Sequence, residues 1–381
     1  MDAHPLRTGS GVPCAPKQFA AARNHDFSLS TTGNTTRPTG LPSFFARYQE
    51  PVDAALRAEL ATQRLPLYET HRYYMGWTDL DGKPSSAVGG KRFRPTLALL
   101  AADAAGGGTD RAMPVAVALE YVHNFSLIHD DLEDQDRVRH HRPTVWAVWG
   151  EATAIVSGNA MLKIADGAME RLLDAGVSVE VSLEAKRSLT ANYLRMMEGQ
   201  YLDIHFETVG TITVEQYLDM IERKTGALIE TAIYLGSLVG RPTGPDHQFS
   251  ENLRSVGYEL GRVFQIRDDV LGVWGGKETG KPVGADIQRK KKALPAVHAL
   301  NAAQGAARKR ITEIFQKPEL DETDVSDALQ VMEDLGTERY CQSLADDRWR
   351  RAKGVIQSLT LAGETAKDLN ELGEFLLVRT S

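Results

Sequence analysis

From Leu41 onward, apolar side chains recur three and four positions apart almost without interruption, while alternating runs of β-branched residues are nearly absent. That period fits one face of an α-helix and does not fit a strand. The chain is therefore expected to fold as an all-α domain. Gly, Pro and Asp punctuate the pattern and predict helices over 43–64, 67–79, 90–105, 111–136, 151–175, 179–208, 214–240, 247–274, 288–304, 323–335, 338–359 and 364–378. No linker or clear repeat interrupts 41–381, which reads as one domain. Residues 1–40, rich in Gly, Ser, Thr and Pro without a period, read as a disordered tail.

With 381 residues, 42% of them hydrophobic, the chain can bury a sizeable core, and its net charge of −7 argues against a nucleic-acid partner. No apolar run approaches the ~18 to 20 residues that span a bilayer. Cys14 and Cys341 make neither a disulfide framework nor a zinc spacing. With no secretory signal core, a cytoplasmic location is expected.

Ser126-Leu127-Ile128-His129 is an apolar helical run that turns into five acids within seven residues, ending at Asp136. Helical spacing puts Asp130 and Asp134 on one face with Asp131 beside them. Two carboxylates ~5 Å apart repel by roughly 3 kcal/mol at an effective dielectric of about 20, so the cluster calls for a cation. A solvated acidic face would be the simpler reading for a single pair. A second pair, Asp268-Asp269, is again flanked by apolar residues and suggests two facing carboxylate walls. Oxygen ligands without Cys or His favour Mg²⁺ shared with phosphates.

Basic residues sit where an anion would need them. Gly89-Gly90-Lys91-Arg92-Phe93-Arg94-Pro95 opens a helix with glycines, free N–H groups and cations together. Arg139-His140-His141-Arg142 follows the first acidic cluster. Lys224-Thr225-Gly226 lies within a helical pattern, and Gly280-Lys281 and the Lys290-Lys291-Lys292 run follow the second cluster. Any one of these, taken alone, reads more simply as a solvated charge group. Together with the two walls, they describe a chamber for polyanions.

Seven motifs occur in the order seen in the trans-isoprenyl diphosphate synthases, which the chain resembles. They are Gly89-Gly90-Lys91-Arg92-x-Arg94-Pro95, His123 to Asp134, Arg142-Pro143-Thr144, Gly199-Gln200-x-x-Asp203, Lys224-Thr225-Gly226, Phe264 to Gly272, and Gly280-Lys281-Pro282-x-Gly284-x-Asp286. They cover about 85–296, and the resemblance is closest to bacterial geranylgeranyl diphosphate synthases. It implies antiparallel helices around a deep central cavity and a homodimer. It also implies that an allylic diphosphate (dimethylallyl, geranyl or farnesyl) ionises with three Mg²⁺ ions bound and is extended by isopentenyl diphosphate.

By that resemblance Asp130, Asp131, Asp134 and Asp268 hold the metal, with Asp269 behind them. Arg139, Lys224 and Lys281 meet the allylic diphosphate, and Lys291 is placed among the substrate-binding residues. Lys91, Arg94 and His123 hold the homoallylic diphosphate. Gln265 and the Lys224-Thr225 backbone face the cation, and released diphosphate serves as the base.

The chain departs from the family pattern in two ways that matter. His140 stands where a second arginine is usual and is expected to bind isopentenyl diphosphate in a pH-dependent way. Gly272 replaces the third Asp of the second motif. Phe125 and Ser126, five and four residues before Asp130, lie about one turn deeper along the growing tail. An aromatic at that position resembles the twenty-carbon synthases, although ordinary core packing explains Phe125 equally well. Geranylgeranyl diphosphate is the expected product, with farnesyl or longer chains as alternatives. A class I terpene cyclase is the runner-up; Lys91, Arg94 and His123 count against it because a cyclase has no second diphosphate to hold. A non-catalytic subunit is the third reading, and two intact acidic motifs count against that.

Overall fold

The structure, a computed structural model, describes residues 40–85, 90–276 and 282–379. Gly89, Lys281 and the 1–39 part of the expected tail lie outside the described residues. Within them the chain is helical apart from one short hairpin, β1 (Val138–Arg139) against β2 (Arg142–Pro143), and an isolated bridge between Thr78 and Pro84. The all-α expectation holds. No helix among the described residues is long and apolar enough to cross a membrane.

Helices α1 (Ala46–Glu59), α2 (Leu67–Tyr74), α3 (Phe93–Ala104) and α4 (Met113–Glu133) precede the hairpin. After it come α5 (Val145–Trp149), α6 (Glu151–Glu170), α7 (Val179–Thr208), α8 (Val214–Ile221), a π turn (Glu222–Gly226), α9 (Ala227–Gly240) and α10 (His247–Trp274). The remainder is α11 (Ala285–Gln288), α12 (Leu294–Ala302), α13 (Gly305–Gln316), α14 (Glu322–Asp334), α15 (Thr337–Ser358) and α16 (Thr365–Val378).

Helix α9 is apolar on nearly every side, and each of its residues is buried. A helix without a solvent face must be surrounded, and α3, α7 and α10 surround this one. Glycines set the approach: side chains at Gly236 and Gly240 would collide with the backbone of α3 at Ala98 and Ala102, and one at Gly257 would meet Glu230 Cα at 2.9 Å. The paired positions 98 with 236 and 102 with 240 rise together, so α3 and α9 run parallel. Contacts of Gly257 with Glu230 and of Gly261 with Gly226 make α10 antiparallel to α9.

Helix α4 packs on α6 and α3 and buries Leu119, Tyr121, Val122 and Ile128. At about 1.5–3 kcal/mol for each large apolar side chain, its apolar length anchors the acidic end. Helices α15 and α16 cover α10, and α12 to α14 close a smaller core around Val273, Ile287, Ile311, Ile314 and Met332.

Several expected elements differ from those observed. The single helix over 214–240 is broken by the π turn. Helix α2 stops at Tyr74, where Gly76 takes a left-handed conformation. Helix α3 begins only at Phe93, because Arg92 is itself left-handed. Helix α12 starts at Leu294 rather than 288. Helices α5 and α13 were not anticipated; in α13 the opening Gly-Ala-Ala-Arg-Lys-Arg carries no apolar period.

Candidate active site

The first acidic wall is the last turn of α4. Asp130 and Asp131 lie within the helix, and Asp134 is its C-terminal cap, its N–H donating to the Asp130 carbonyl at 2.9 Å. Asp131 is fully buried. Its carboxylate takes Tyr74 Oη at 3.2 Å and the guanidinium of Arg139, which also reaches Asp130 at 3.2 Å. Lys224 Nζ, from the π turn, stands 3.3 Å from Asp130 and 2.5 Å from Asp203 of α7. Desolvation works against that ammonium, yet Asp203 and Asp130 outweigh it and raise its pKa. Burial first, then the charge of Asp130, lifts the Asp134 carboxyl to about 6.

On α10 the second pair diverges. Asp269 points inward to Gln265 Nε2 at 3.0 Å, the Leu294 amide at 3.1 Å and the Tyr217 hydroxyl, and burial raises its pKa to about 6. Asp268 points outward to Arg379 at 2.8 Å. The metal-ligand role expected for Asp268 and the supporting role expected for Asp269 thus fall on two differently oriented side chains. The Thr225 hydroxyl donates to the Gln265 side-chain carbonyl at 2.8 Å, joining the π turn to α10.

The two walls share neighbours. Desolvation opposes the Lys291 ammonium, but Asp269, Asp286, Asp203 and Asp268 raise its pKa, while Asp203 also holds Lys224 of the first wall. Arg289, beyond the second motif, reaches Asp136, beyond the first, at 3.7 Å. Two members of the lysine run are tied down: Lys290 donates to the Lys317 carbonyl at 2.7 Å and Lys292 to the carbonyls of Phe206 and Val209. Lys291 itself turns toward the acidic residues. Gly272 also has a local reason, since any side chain there would strike the Asp286 carboxylate.

A cavity of about 660 Å³ opens beside these walls, lined by Lys91, Arg94, His123, Arg139, His140 and Arg379 among others. Arg92, adjacent in sequence, is consumed by Asp53 at 2.7 Å and Glu120 at 2.8 Å. Arg94 is buried, its Nε has no partner, and burial lowers its pKa to about 10. An unmatched buried guanidinium costs free energy that an incoming anion recovers. Burial, then the charges of Arg94 and Arg139, push the His123 pKa well down, so it meets an anion as a neutral hydrogen-bonding ring. Lys91 loses some of its proton affinity to burial and to Arg379, with Asp268 opposing.

His140 occupies the two-residue hairpin loop, where both it and His141 have positive φ, 49° and 61°. That is the pattern of a type I′ turn, normally Asn-Gly, and each non-glycine residue held there stores about 1–3 kcal/mol. Phe125 is buried and packs edge-on against His129, ring centres 5.0 Å apart, while Ser126 Oγ donates to the His123 carbonyl at 2.8 Å.

Whether Mg²⁺ fits can be judged from the donors. Asp130, Asp131, Asp134 and Asp203 set four carboxylates against Arg139 and Lys224, and the charge of Asp130 adds to desolvation in raising the Asp134 pKa. Hard oxygen donors with uncompensated charge suit Mg²⁺. Among the described residues no three such side chains are already gathered at ligand spacing; Arg139, Lys224 and Arg379 hold the carboxylates instead. The donor chemistry fits the ion.

Two participants escaped the sequence reading. Asp203 was visible only as part of a motif, and its partner Lys224 gives it meaning. Arg379 lay in a C-terminal segment with no motif, and only the fold brings it to Asp268.

The family model for polyprenyl synthetase matches residues 83–332. A (2E,6E)-farnesyl diphosphate synthase of Mycobacterium tuberculosis is 35% identical over 317 residues, covering 81% of this chain and 84% of that protein. A geranylgeranyl diphosphate synthase of the same organism is 38% identical over 303 residues, 79% of this chain and 84% of that protein. The crystal structure of a polyprenyl synthetase from Streptomyces coelicolor aligns with a TM-score of 0.81 at 34% identity, covering 88% of this chain and 99% of that one.

Proposed function

Because the chain belongs to the polyprenyl synthetase family and is a prenyltransferase of that family, we propose that it extends an allylic diphosphate with isopentenyl diphosphate, aided by Mg²⁺, to geranylgeranyl diphosphate. The observation that carries this reading is Arg94, buried with its Nε lacking a hydrogen-bond partner, in a cavity with Lys91 and His123. Such a pocket serves an enzyme that holds two diphosphates. A cyclase, which ionises one, has no use for it.

In this reading Lys91, Arg94, His123, His140 and Arg379 hold the homoallylic diphosphate. Arg139, Lys224 and Lys281 meet the allylic diphosphate, and their fixed positive charge stabilises it as the carbon–oxygen bond breaks. Mg²⁺ held by Asp130, Asp131, Asp134 and Asp268, with Asp269, Gln265 and Lys291 behind them, would draw electron density from the same leaving group. The π-turn backbone and Gln265 face the allylic cation with dipoles that cannot trap it. The double bond of isopentenyl diphosphate attacks, and the released diphosphate takes the proton.

Phe125, with Ser126 beside it, would close the channel at twenty carbons. The relatives include both farnesyl and geranylgeranyl diphosphate synthases, so the length is a product assay. A second copy is proposed against α6 and α7, which expose Ile155, Val156, Leu183, Leu194, Tyr201 and Ile204; light scattering at twice the chain mass tests it. Purified protein with Mg²⁺, labelled isopentenyl diphosphate and each allylic diphosphate in turn tests the reaction. A twenty-carbon alcohol after phosphatase supports it; a cyclic hydrocarbon, or no product, overturns it.

A further inference from the structure

The path from Val214 to Gly240 is one helix interrupted once, where the Ala227 N–H donates to the Glu222 carbonyl five residues back rather than four. Such π turns weaken helix geometry and collect at functional sites. The local sequence, Glu-Arg-Lys-Thr-Gly, does not compel one.

The constraint comes from both sides. On α7, Gly199 lets the backbone at Lys224 approach so closely that any side chain there would collide with the Lys224 amide nitrogen. On α10, a side chain at Gly261 would stand 2.9 Å from Gly226 Cα. Glu222, at the head of the turn, accepts from Arg195 of α7 at 3.3 Å, from Tyr258 of α10 at 2.9 Å, and from Arg262 of α10. The network continues away from the turn to Glu230, which takes Arg195 at 3.3 Å and Arg254 at 2.5 Å.

We propose that Glu222 is a positioning residue for allylic ionisation. It ties the π turn to α7 and α10 and thereby fixes where Lys224 and Thr225 stand. Glu222 itself reaches neither Asp130 nor Asp203; it acts through the turn that carries the ammonium to both. A displacement of about 1 Å at such a group costs about a hundredfold in rate. The proposal rests on the condensation proposed above and adds to it a residue remote from substrate.

The test compares wild type with E222Q, E222D and Y258F, and with R254Q as a control that leaves all three Glu222 contacts in place. Melting temperature, kcat and both KM values are measured for each. In E222Q, kcat should fall at least tenfold and the allylic KM rise, with the isopentenyl diphosphate KM within twofold, because Lys91, Arg94 and His123 belong to α4 and the segment around the start of α3. E222D should recover part of the loss. R254Q should lower the melting temperature and leave kcat within twofold. Unchanged kcat in E222Q, or equal losses in E222Q and R254Q, overturns the proposal. Should E222Q not fold, Y258F decides: a severalfold lower kcat at unchanged isopentenyl KM supports the clamp, and wild-type kinetics overturns it. A wild-type protein that makes no condensation product sinks the underlying reading instead.

Discussion

The Arg379 guanidinium stands 2.8 Å from the Asp268 carboxylate while lying 4.1 Å above the Phe264 ring. It therefore joins the outer acid of the second wall to the cavity that holds Lys91 and Arg94. A cation at that junction competes for the carboxylate expected to bind metal.

Replacing Arg379 with Gln should raise Mg²⁺ affinity while weakening isopentenyl diphosphate. Asp268 is half exposed, so the pair is worth about 0.2–1 kcal/mol, up to about fivefold in affinity. Direct Mn²⁺ titration and the isopentenyl KM, read side by side, should move in opposite senses. Parallel movement would discard this account.

Arg94→Met should separate stability from function. Removing a buried guanidinium whose Nε has no partner is expected to be neutral or stabilising for the ligand-free protein. The same change should raise the isopentenyl KM at least a hundredfold. A urea melt and steady-state kinetics on one preparation give both values, and a destabilised variant would show that Arg94 has a partner in solution.

The pH response of metal binding should carry the mark of Asp134. Its folded pKa, about 6, lies above the ordinary value near 3.9, so it is protonated below about pH 6 and ionised above. The ionised form is the one disfavoured by folding: its contribution to the ligand-free protein is fully present below about pH 4 and fades as pH rises through 6. Because Asp134 sits at the helix end, partly desolvated by its neighbours yet still open to water, solvent screens most of that effect on stability. Apparent Mg²⁺ affinity should instead drop as pH falls through 6, and Asp134→Asn should abolish the step.

Phe125→Ala should lengthen the product beyond twenty carbons and cost about 3–5 kcal/mol of stability, since the ring is buried against His129. Reverse-phase chromatography of the dephosphorylated product reads the first effect. An unchanged product assigns the channel floor to another side chain.

The hairpin offers two further changes. His141→Gly should relieve a left-handed backbone and raise the urea midpoint, by about 0.5–1 kcal/mol in free energy. His140→Arg should flatten the pH dependence of the isopentenyl KM between about pH 6 and 8.5. A wild-type KM already flat over that range removes His140 from the binding role.

Much of the helical architecture could be read from period and punctuation, because α4, α7 and α10 carry long regular apolar stripes with clear stops. The π turn could not, since nothing in its own residues marks a π bond and Gly199 of α7 and Gly261 and Arg262 of α10 act on it from two distant elements. Asp130, Asp131 and Lys224 were legible as chemistry from their motifs. The different fates of Asp268 and Asp269 depend on Tyr217, Leu294 and Arg379, 52, 25 and 111 residues away respectively. The anchoring of Lys290 and Lys292 was not legible because the carbonyls they meet belong to the ends of α7 and α13.

The glycine contacts around α9 make the centre of this protein a stiff chassis. Where two backbones already touch, there is no slack for one helix to slide past another when substrate arrives. Any adjustment to substrate is then expected in the periphery: the histidine hairpin, the Asp136–Arg289 contact and Arg379. Turnover speed should respond to substitutions in those outer parts, and substitutions at Gly236, Gly240 or Gly257 should cost folding yield before they alter rate.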